Sequence, residues 1–489
     1  MIREPLIFEI SAEGKKAFSF PKLDVPLNKE ILKNIPTRGK IEDFPQVSEV
    51  EIIRHFTRLS QTNHCVDIGF YPLGSCTMKY NPKINEKVAS SSEFVSSHPL
   101  APLELIQGNL EILKRTEELL AEITGMNAFT LQPSAGAQGE LVGMMLIRAF
   151  HEETRNPRKI VLIPDSAHGT NPSSAHVCGY QVREIKSNEK GTIDIDDLTQ
   201  NMTKEVAALM VTNPNTLGIF ENEIKKITHI VHSKGGFVYM DGANMNALTG
   251  ICRPGDMDVD VIHLNLHKTF STPHGGGGPG AGPVGVNKKL EPFLPLPLIE
   301  RKGKQCILNF SRPKSIGRVR SFFGNFLVVV KALSYILSLG PEGLREISEI
   351  AVLNSNYVRK SLEQDYYLKY QTPTLHECVF SDKFQREHGI QNIDIAKRLI
   401  DFGLHPPTMS FPLIVHGALM TEPTETESKR DLDLFIEAMK QIAKEAKENP
   451  EILKSAPHIS YVRRLDETAA ARNPVLRWSH SQGEGEEEK

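Results

Sequence analysis

Between residues 126 and about 290 the chain alternates short, almost wholly apolar runs with stretches in which apolar residues recur every three or four positions. The runs 159–164 (KIVLIP), 206–212 (VAALMVT), 236–240 (GFVYM) and 259–264 (VDVIHL) read as buried strands, and 220–233 as a helix between the second and third. Near-continuous apolar strands separated by helices predict a mainly parallel sheet covered on both faces, an α/β fold. Ahead of this region, Leu105, Leu110, Ile112, Leu113, Leu119, Leu120 and Ile123 form a helical stripe over 104–124, and Gly125 is its stop signal. This large domain is expected over 106–340. Residues 1–105 are rich in proline and polar residues and read as an arm with short helices, such as 47–60, that packs on its own domain or on a partner. Residues 341–465 read as a smaller α+β domain, with helices at 394–402 and 429–446 and strands at 379–380 and 410–414. Residues 466–489 read as a tail whose acidic end, 483–489 (GEGEEEK), is expected to be disordered.

Composition narrows the class. Lys plus Arg is 57 and Asp plus Glu is 60, a net charge of −3 in 489 residues, so a nucleic-acid-binding surface is not expected. Hydrophobic residues at 39% and charged residues at 24% suit an ordinary soluble globular protein. Cys65, Cys76, Cys178, Cys252, Cys306 and Cys378 are scattered without a CxxC pair, which disfavours a zinc ribbon or a disulfide framework and fits a reducing compartment. The first residues lack a basic and then apolar leader pattern, and the apolar stretch 322–339 is too short and too polar for a membrane span. A cytoplasmic protein is expected.

In open α/β sheets ligands lie outside the carboxyl ends of the strands. The residues just past each run are therefore informative: Asp165-Ser166-Ala167-His168, then Asn213-Pro214-Asn215-Thr216, then Asp241-Gly242-Ala243-Asn244, then Asn265-Leu266-His267-Lys268. Taken singly, such residues are often plain turn or cap residues. Together they bring titratable groups to one rim. A lysine just after a buried strand, near other cationic groups, is a candidate Schiff-base lysine. Lys268 with Asp241 one strand earlier suits a lysine aldehyde linkage and an acidic partner for a pyridine nitrogen, the arrangement that serves pyridoxal phosphate. On residue types alone the two also suit a simple ion pair.

An anionic group needs a cradle, and Ser134-Ala135-Gly136-Ala137-Gln138-Gly139 precedes a helical pattern over 140–151. Small residues let the backbone approach, and a helix N-terminus supplies amide donors. The loop is not a Walker A motif, because no GK[ST] comes after it. The glycines Gly275 to Gly278, Gly280 and Gly282 lead into an apolar run, 283–286, instead of opening a helix. They read as a tight loop near Lys268, not a dinucleotide fingerprint. Cys76 reads as a buried, inert thiol.

These motifs resemble those of a known family. Phe70-Tyr71-Pro72-Leu73-Gly74-Ser75-Cys76-Thr77-Met78-Lys79, Leu131-Gln132-Pro133-Ser134-Ala135-Gly136-Ala137, Asp165 to Pro172, Thr212 to Thr216, Asp241 to Asn244, His263 to Phe270, His405 to Thr408 and Glu422 to Glu427 are similar to the P-protein of the glycine cleavage system. The chain is most similar to the second subunit of its two-subunit bacterial form. The resemblance implies a fold type I pyridoxal-phosphate enzyme, glycine dehydrogenase (decarboxylating), with the cofactor covalently held by Lys268. It places Asp241 at the pyridine nitrogen, His168 against the ring, Thr212 or Asn213 near the ring hydroxyl, and Ser134, Ala135 and Gly136 at the phosphate. Ala243 belongs to the same cofactor-binding set. His168 or His267 would move a proton. No metal is implied. The implied partners are glycine, the lipoylated H-protein and a first subunit, with two copies of each chain. The glycine carboxylate site is not implied, and Arg312, Arg318 and Arg320 are candidates on charge alone. An aminotransferase, a desulfurase or a non-catalytic scaffold subunit would be the alternatives.

Overall fold

β-Strands form at the four apolar runs, and helices fill the intervals. A computed structural model describes residues 3–477 except 27, 40 and 42. The acidic end expected to be disordered lies outside the described residues. The strands are β1 (Ala128–Thr130), β2 (Ile160–Pro164), β3 (Gln181–Ile185), β4 (Val206–Thr212), β5 (Phe237–Gly242), β6 (Val261–Leu264), β7 (Val284–Val286), β8 (Leu298–Lys302), β9 (Gln305–Asn309), β10 (Cys378–Ser381), β11 (Thr408–Met409) and β12 (Ala418–Thr421).

Seven strands make one sheet in the order β1-β7-β6-β5-β4-β2-β3. β6, β5, β4, β2 and β3 run parallel, while β7 is antiparallel to both β6 and β1. Apolar side chains fill both faces, with Leu209, Val211, Val238, Met240 and Ile262 on one and Ala208, Met210, Tyr239 and Val261 on the other. This is why the sequence runs are continuous instead of alternating. The helix Gly136–Glu153 lies against the sheet at its glycines. A Cβ on Gly143 would come within 2.5 Å of the Tyr239 ring, and one on Gly139 within 2.8 Å of the Gly282 carbonyl oxygen. A second sheet, β10-β12-β11, is antiparallel and packs with helices Asn392–Asp401 and Lys429–Glu448 around Phe380, Leu399, Leu419 and Phe435.

Two compact units divide the chain differently from the expected scheme. One comprises Met1–Cys65 with Pro457–Lys489, and the other is Val66–Ala456. Residues 66–105, expected in the arm, belong with the sheets, and the first turns of the expected tail join the N-terminal segment. In the first unit, the helix Glu49–Thr62 starts with a capping box between Ser48 and Glu51, and His55 Nδ1 lies 3.1 Å from Glu4 Oε1. Phe18, Phe20, Leu23, Ile53 and Leu476 are among its large apolar residues left exposed.

Other differences have local causes. Residues 410–414 do not form the expected strand. Ser410 sits at φ 58°, in the left-handed region, and Pro412 has no N–H to donate. The edge strand β3 was not legible because Gln181, Arg183 and Glu184 face solvent and only Ile185 is buried. The apolar stretch at 322–339 enters a helical segment, Phe326–Leu362, broken at Gly340 (φ 66°, ψ −175°) ahead of Pro341. It is the one described helix long and apolar enough to cross a membrane, and Val328, Val329, Ala332 and Ile336 pack in the core of the main sheet.

Candidate active site

The carboxyl ends of the parallel strands open on a cavity of about 150 Å³. Lys268, Asp241, His168, Thr212, Gly136 and Ala243 line it, all singled out from the sequence. Lys268 stands in the turn after β6, where its N–H donates to the Asn265 carbonyl at 3.0 Å and its carbonyl accepts from the Ser271 N–H at 3.1 Å. Its Nζ donates to the carbonyl oxygen of Ser75 at 2.6 Å. Ser75 and Thr77 have φ values of 64° and 51°, unusual for residues with a side chain, above all for a β-branched one. Glu422 fixes the bend: its Oε2 accepts from the Thr77 N–H at 3.0 Å and its Oε1 from the Thr77 hydroxyl at 2.8 Å.

Asp241, at the end of β5, is buried. Its Oδ2 accepts from Asn171 Nδ2 and its Oδ1 from the Ala243 N–H, both at 3.0 Å. Burial pushes this carboxyl up, but His263, these two donors and Lys268 outweigh it, so Asp241 lies below the ordinary aspartate value and is ionised. The register of β5 with β6 sets Asp241 beside His263. Burial holds the Tyr239 phenol protonated, and its oxygen lies 2.5 Å from His263 Nδ1. On its other side, His263 Nε2 lies 3.5 Å from Asp241 Oδ1. Glu140, Asp241 and His263 offer ligand atoms within 4.8 Å of one another. Glu140 also accepts from Thr170 and Ser174, and Asp241 from Asn171 and Ala243, so both carboxylates are held in a hydrogen-bond network.

The helix from Gly136 begins at the cavity, and no side chain caps its N-terminus. Gly136 and Ala137 line the cavity. Ser134 and Ala135 stand just outside the lining, with the Ser134 hydroxyl donating to Gln138 Oε1 at 2.8 Å. Asn213 is buried behind the rim, where its Oδ1 accepts from the Glu221 N–H. His168 is exposed at the mouth, its Nδ1 2.8 Å from Thr170 Oγ1. His267, one of the two expected proton carriers, does not line the cavity. It turns toward the glycine loop, where its Nδ1 accepts from the Ala281 N–H at 3.2 Å. Burial, with the charge of Lys268, lowers it to about 4. Arg312 and Arg320 are likewise not in the lining and bond to Glu291 and Asn325, and Arg318 is not in the lining either. Cys76 is exposed, not buried as expected, and its thiol is pushed up by desolvation, with Lys268 opposing.

The residues present fit pyridoxal phosphate. Thr212 Oγ1, Asn171 Oδ1, His263 Nε2 and Asn265 Oδ1 are buried around the cavity with no hydrogen-bond partner among the described residues. Beside them are an amine, an ionised carboxylate and an uncapped helix N-terminus, the three functions an aldehyde, a pyridinium and a phosphate require. Sequence reasoning missed His263, Glu140, His376 and Glu377. The first had a signal, a histidine inside an otherwise apolar strand. His376 and Glu377 come from the segment before β10, more than a hundred residues past Lys268, and carried no local signal.

Comparison with known proteins places this geometry. The aminotransferase class-V family matches residues 133–278, and the glycine dehydrogenase C-terminal domain family matches residues 347–458. A protein from Caldanaerobacter subterraneus is 57% identical over 97% of this chain and 98% of its own length, and one from Alkaliphilus oremlandii is 55% identical over 98% and 99%. Both are named probable glycine dehydrogenase (decarboxylating) subunit 2. Among solved structures, an inhibitor-bound glycine decarboxylase P-protein of the glycine cleavage system superposes with a TM-score of 0.70 at 20% identity, covering 85% of this chain and 93% of that one. A cysteine desulfurase from Escherichia coli gives 0.59 at 15% identity, covering 78% and 95%. The fold is that of fold type I pyridoxal-phosphate enzymes, and with more than half of its residues identical to these relatives over nearly full length, the chain belongs to the glycine dehydrogenase (decarboxylating) subunit 2 family.

Proposed function

We propose that this chain is the cofactor-bearing subunit of a glycine decarboxylase. The reaction releases the carboxyl group of glycine as carbon dioxide and passes the remaining aminomethyl group to the lipoyl arm of an H-protein. The observation that carries the reading is Lys268 Nζ, set in the cavity that the ionised Asp241 and the uncapped helix N-terminus also line.

Lys268 would hold pyridoxal phosphate covalently and give up that bond to the amine of glycine. When bound, the cofactor supplies a protonated ring that accepts the electron pair left by the departing carboxyl group. Asp241 would hold the proton at the ring nitrogen, and His263, itself backed by Tyr239, helps keep Asp241 charged. The amides of Gly136 and Ala137 would receive the phosphate, and the Thr212 hydroxyl the ring oxygen. Ser75, through its carbonyl, steers the amine of Lys268. His168, at the mouth, would cover the ring and donate a proton to the lipoyl sulfur as its disulfide opens. The exposed apolar residues of the first compact unit support assembly with a first subunit, and the complex would hold two copies of each chain.

Replacement of Lys268 by alanine tests the reading. The complex of the variant with first subunit and H-protein should show no glycine-dependent release of carbon dioxide, and borohydride reduction of the unmodified protein should label Lys268. Retained turnover, or a pyridoxyl label elsewhere, would refute it.

A further inference from the structure

His376 is only 2% exposed, yet among the described residues neither of its ring nitrogens finds a hydrogen-bond partner. It lines the cavity with Lys268 and Glu377. Glu377 Oε1 lies 3.8 Å from His376 Nε2, beyond bonding reach. A buried polar ring left unpaired on both sides, in the wall of a cavity, points to a ligand that completes it.

The position of the ring says which part of the ligand it meets. Glu377 Oε2 accepts from the Ser75 N–H at 2.9 Å, and the Ser75 carbonyl accepts from Lys268 Nζ at 2.6 Å. The His376–Glu377 wall therefore stands at the amine end of the site, apart from the helix N-terminus at Gly136. An α-amino acid that replaces Lys268 as the bonded amine brings its carboxylate one carbon away from that nitrogen. The three arginines considered from sequence do not line the cavity.

We propose that His376 is the residue that receives the carboxylate of the substrate amino acid, through an N–H donated from its imidazole. The proposal deepens, and rests on, the amino-acid decarboxylase reading of the site. Burial, assisted by the charge of Lys268, lowers His376 to about 3, so the ring is neutral and has one donor and one acceptor. Burial and the facing carboxyl of Glu422 push Glu377 well above the carboxylate range, so Glu377 stays protonated and does not repel the substrate carboxylate. A neutral donor suits decarboxylation. It orients the carboxylate without the full charge compensation of an arginine, which would oppose departure of the group as neutral carbon dioxide.

The test compares glycine with methylamine, which has the amine and lacks the carboxylate. Binding is read from the absorption change of the cofactor in the assembled holoenzyme. His376→Phe should weaken glycine at least tenfold and leave methylamine within twofold. His376→Gln, which keeps an amide donor, should retain glycine affinity to within about fivefold of the unmodified protein. If His376→Phe loses its cofactor, His376→Ala is read by the same criteria. Glycine affinity within twofold of the unmodified protein in the Phe or Ala variant would overturn the proposal, as would equal weakening of glycine and methylamine. Failure of the unmodified holoenzyme to respond to glycine at all would instead sink the reading on which the proposal rests.

Discussion

Lys79 is 2% exposed and its ammonium is fully committed: 2.6 Å from Glu425 Oε1, 2.9 Å from the Thr269 carbonyl oxygen and 3.4 Å from the Tyr335 hydroxyl. Thr269 follows Lys268 directly, so this buried cation ties the lysine turn to the second sheet's side of the same unit. Replacing Lys79 by methionine keeps the aliphatic bulk but leaves Glu425, 6% exposed at its side chain, without its counter-charge. Breaking one side of a buried ion pair costs about 3–5 kcal/mol. For a unit spanning Val66–Ala456 the unfolding entropy is roughly 0.8 kcal/mol per degree, so the expected fall in Tm is about 4–6 °C. Adding Glu425→Gln removes the stranded charge and keeps an acceptor for Tyr335, so the double variant should recover most of the loss. Calorimetry of the holoenzyme forms, run as a double-mutant cycle, reads both quantities. A single variant that melts within 1 °C of the unmodified protein, or a double variant as unstable as the single one, would show that the ion pair does not hold the turn.

Two further outcomes are expected. A Cβ at Gly136 would stand 2.4 Å from Asn265 Oδ1, so Gly136→Ala should weaken pyridoxal phosphate at least tenfold in spectroscopic titration, whereas Gly108→Ala, with nothing within 4 Å, should leave it unchanged; equal affinities would refute the cradle assignment. His151 is lowered to about 4, chiefly by burial, so it is neutral in the folded chain while the unfolded chain takes up a proton near 6.5. Its contribution to stability is therefore complete above pH 6.5 and is lost as pH falls toward 4. His151→Gln should narrow the gap in Tm between pH 8 and pH 5, and an unchanged gap would count against the assignment.

Much of this was legible in the chain because β2, β4, β5 and β6 are buried on both faces, which writes them as unbroken apolar runs with polar residues at the ends. Lys268, Asp241, Thr212 and His168 come to the cavity from that pattern alone. Of the expected cradle, Gly136 lines the cavity but Ser134 does not, because its hydroxyl is taken by Gln138, a local bond that small-residue patterning does not encode. His267 was misplaced because a residue adjacent in sequence to Lys268 points the other way from the turn, toward Ala281. His376, Glu377 and Glu422 were invisible as site residues because only tertiary folding brings them to Lys268. The expected 1–105 arm and the compact units differ for the same reason: Thr77 and Lys79 look like loop residues until Glu422 and Glu425 are seen beside them.

The bend at Ser75–Thr77 carries one more consequence, for how the protein is made. Its hydrogen bonds join residues 302 and 345 positions apart in the chain. When a ribosome has added residue 360, the sheet, the helix at Gly136 and Lys268 all exist, yet the two glutamates that shape the Ser75 carbonyl have not been synthesised. A growing chain therefore carries Lys268 with the Ser75–Thr77 bend incompletely held until residue 422 has been added. Completion of the bend is thus a late event, waiting on the closure of contacts more than three hundred residues apart.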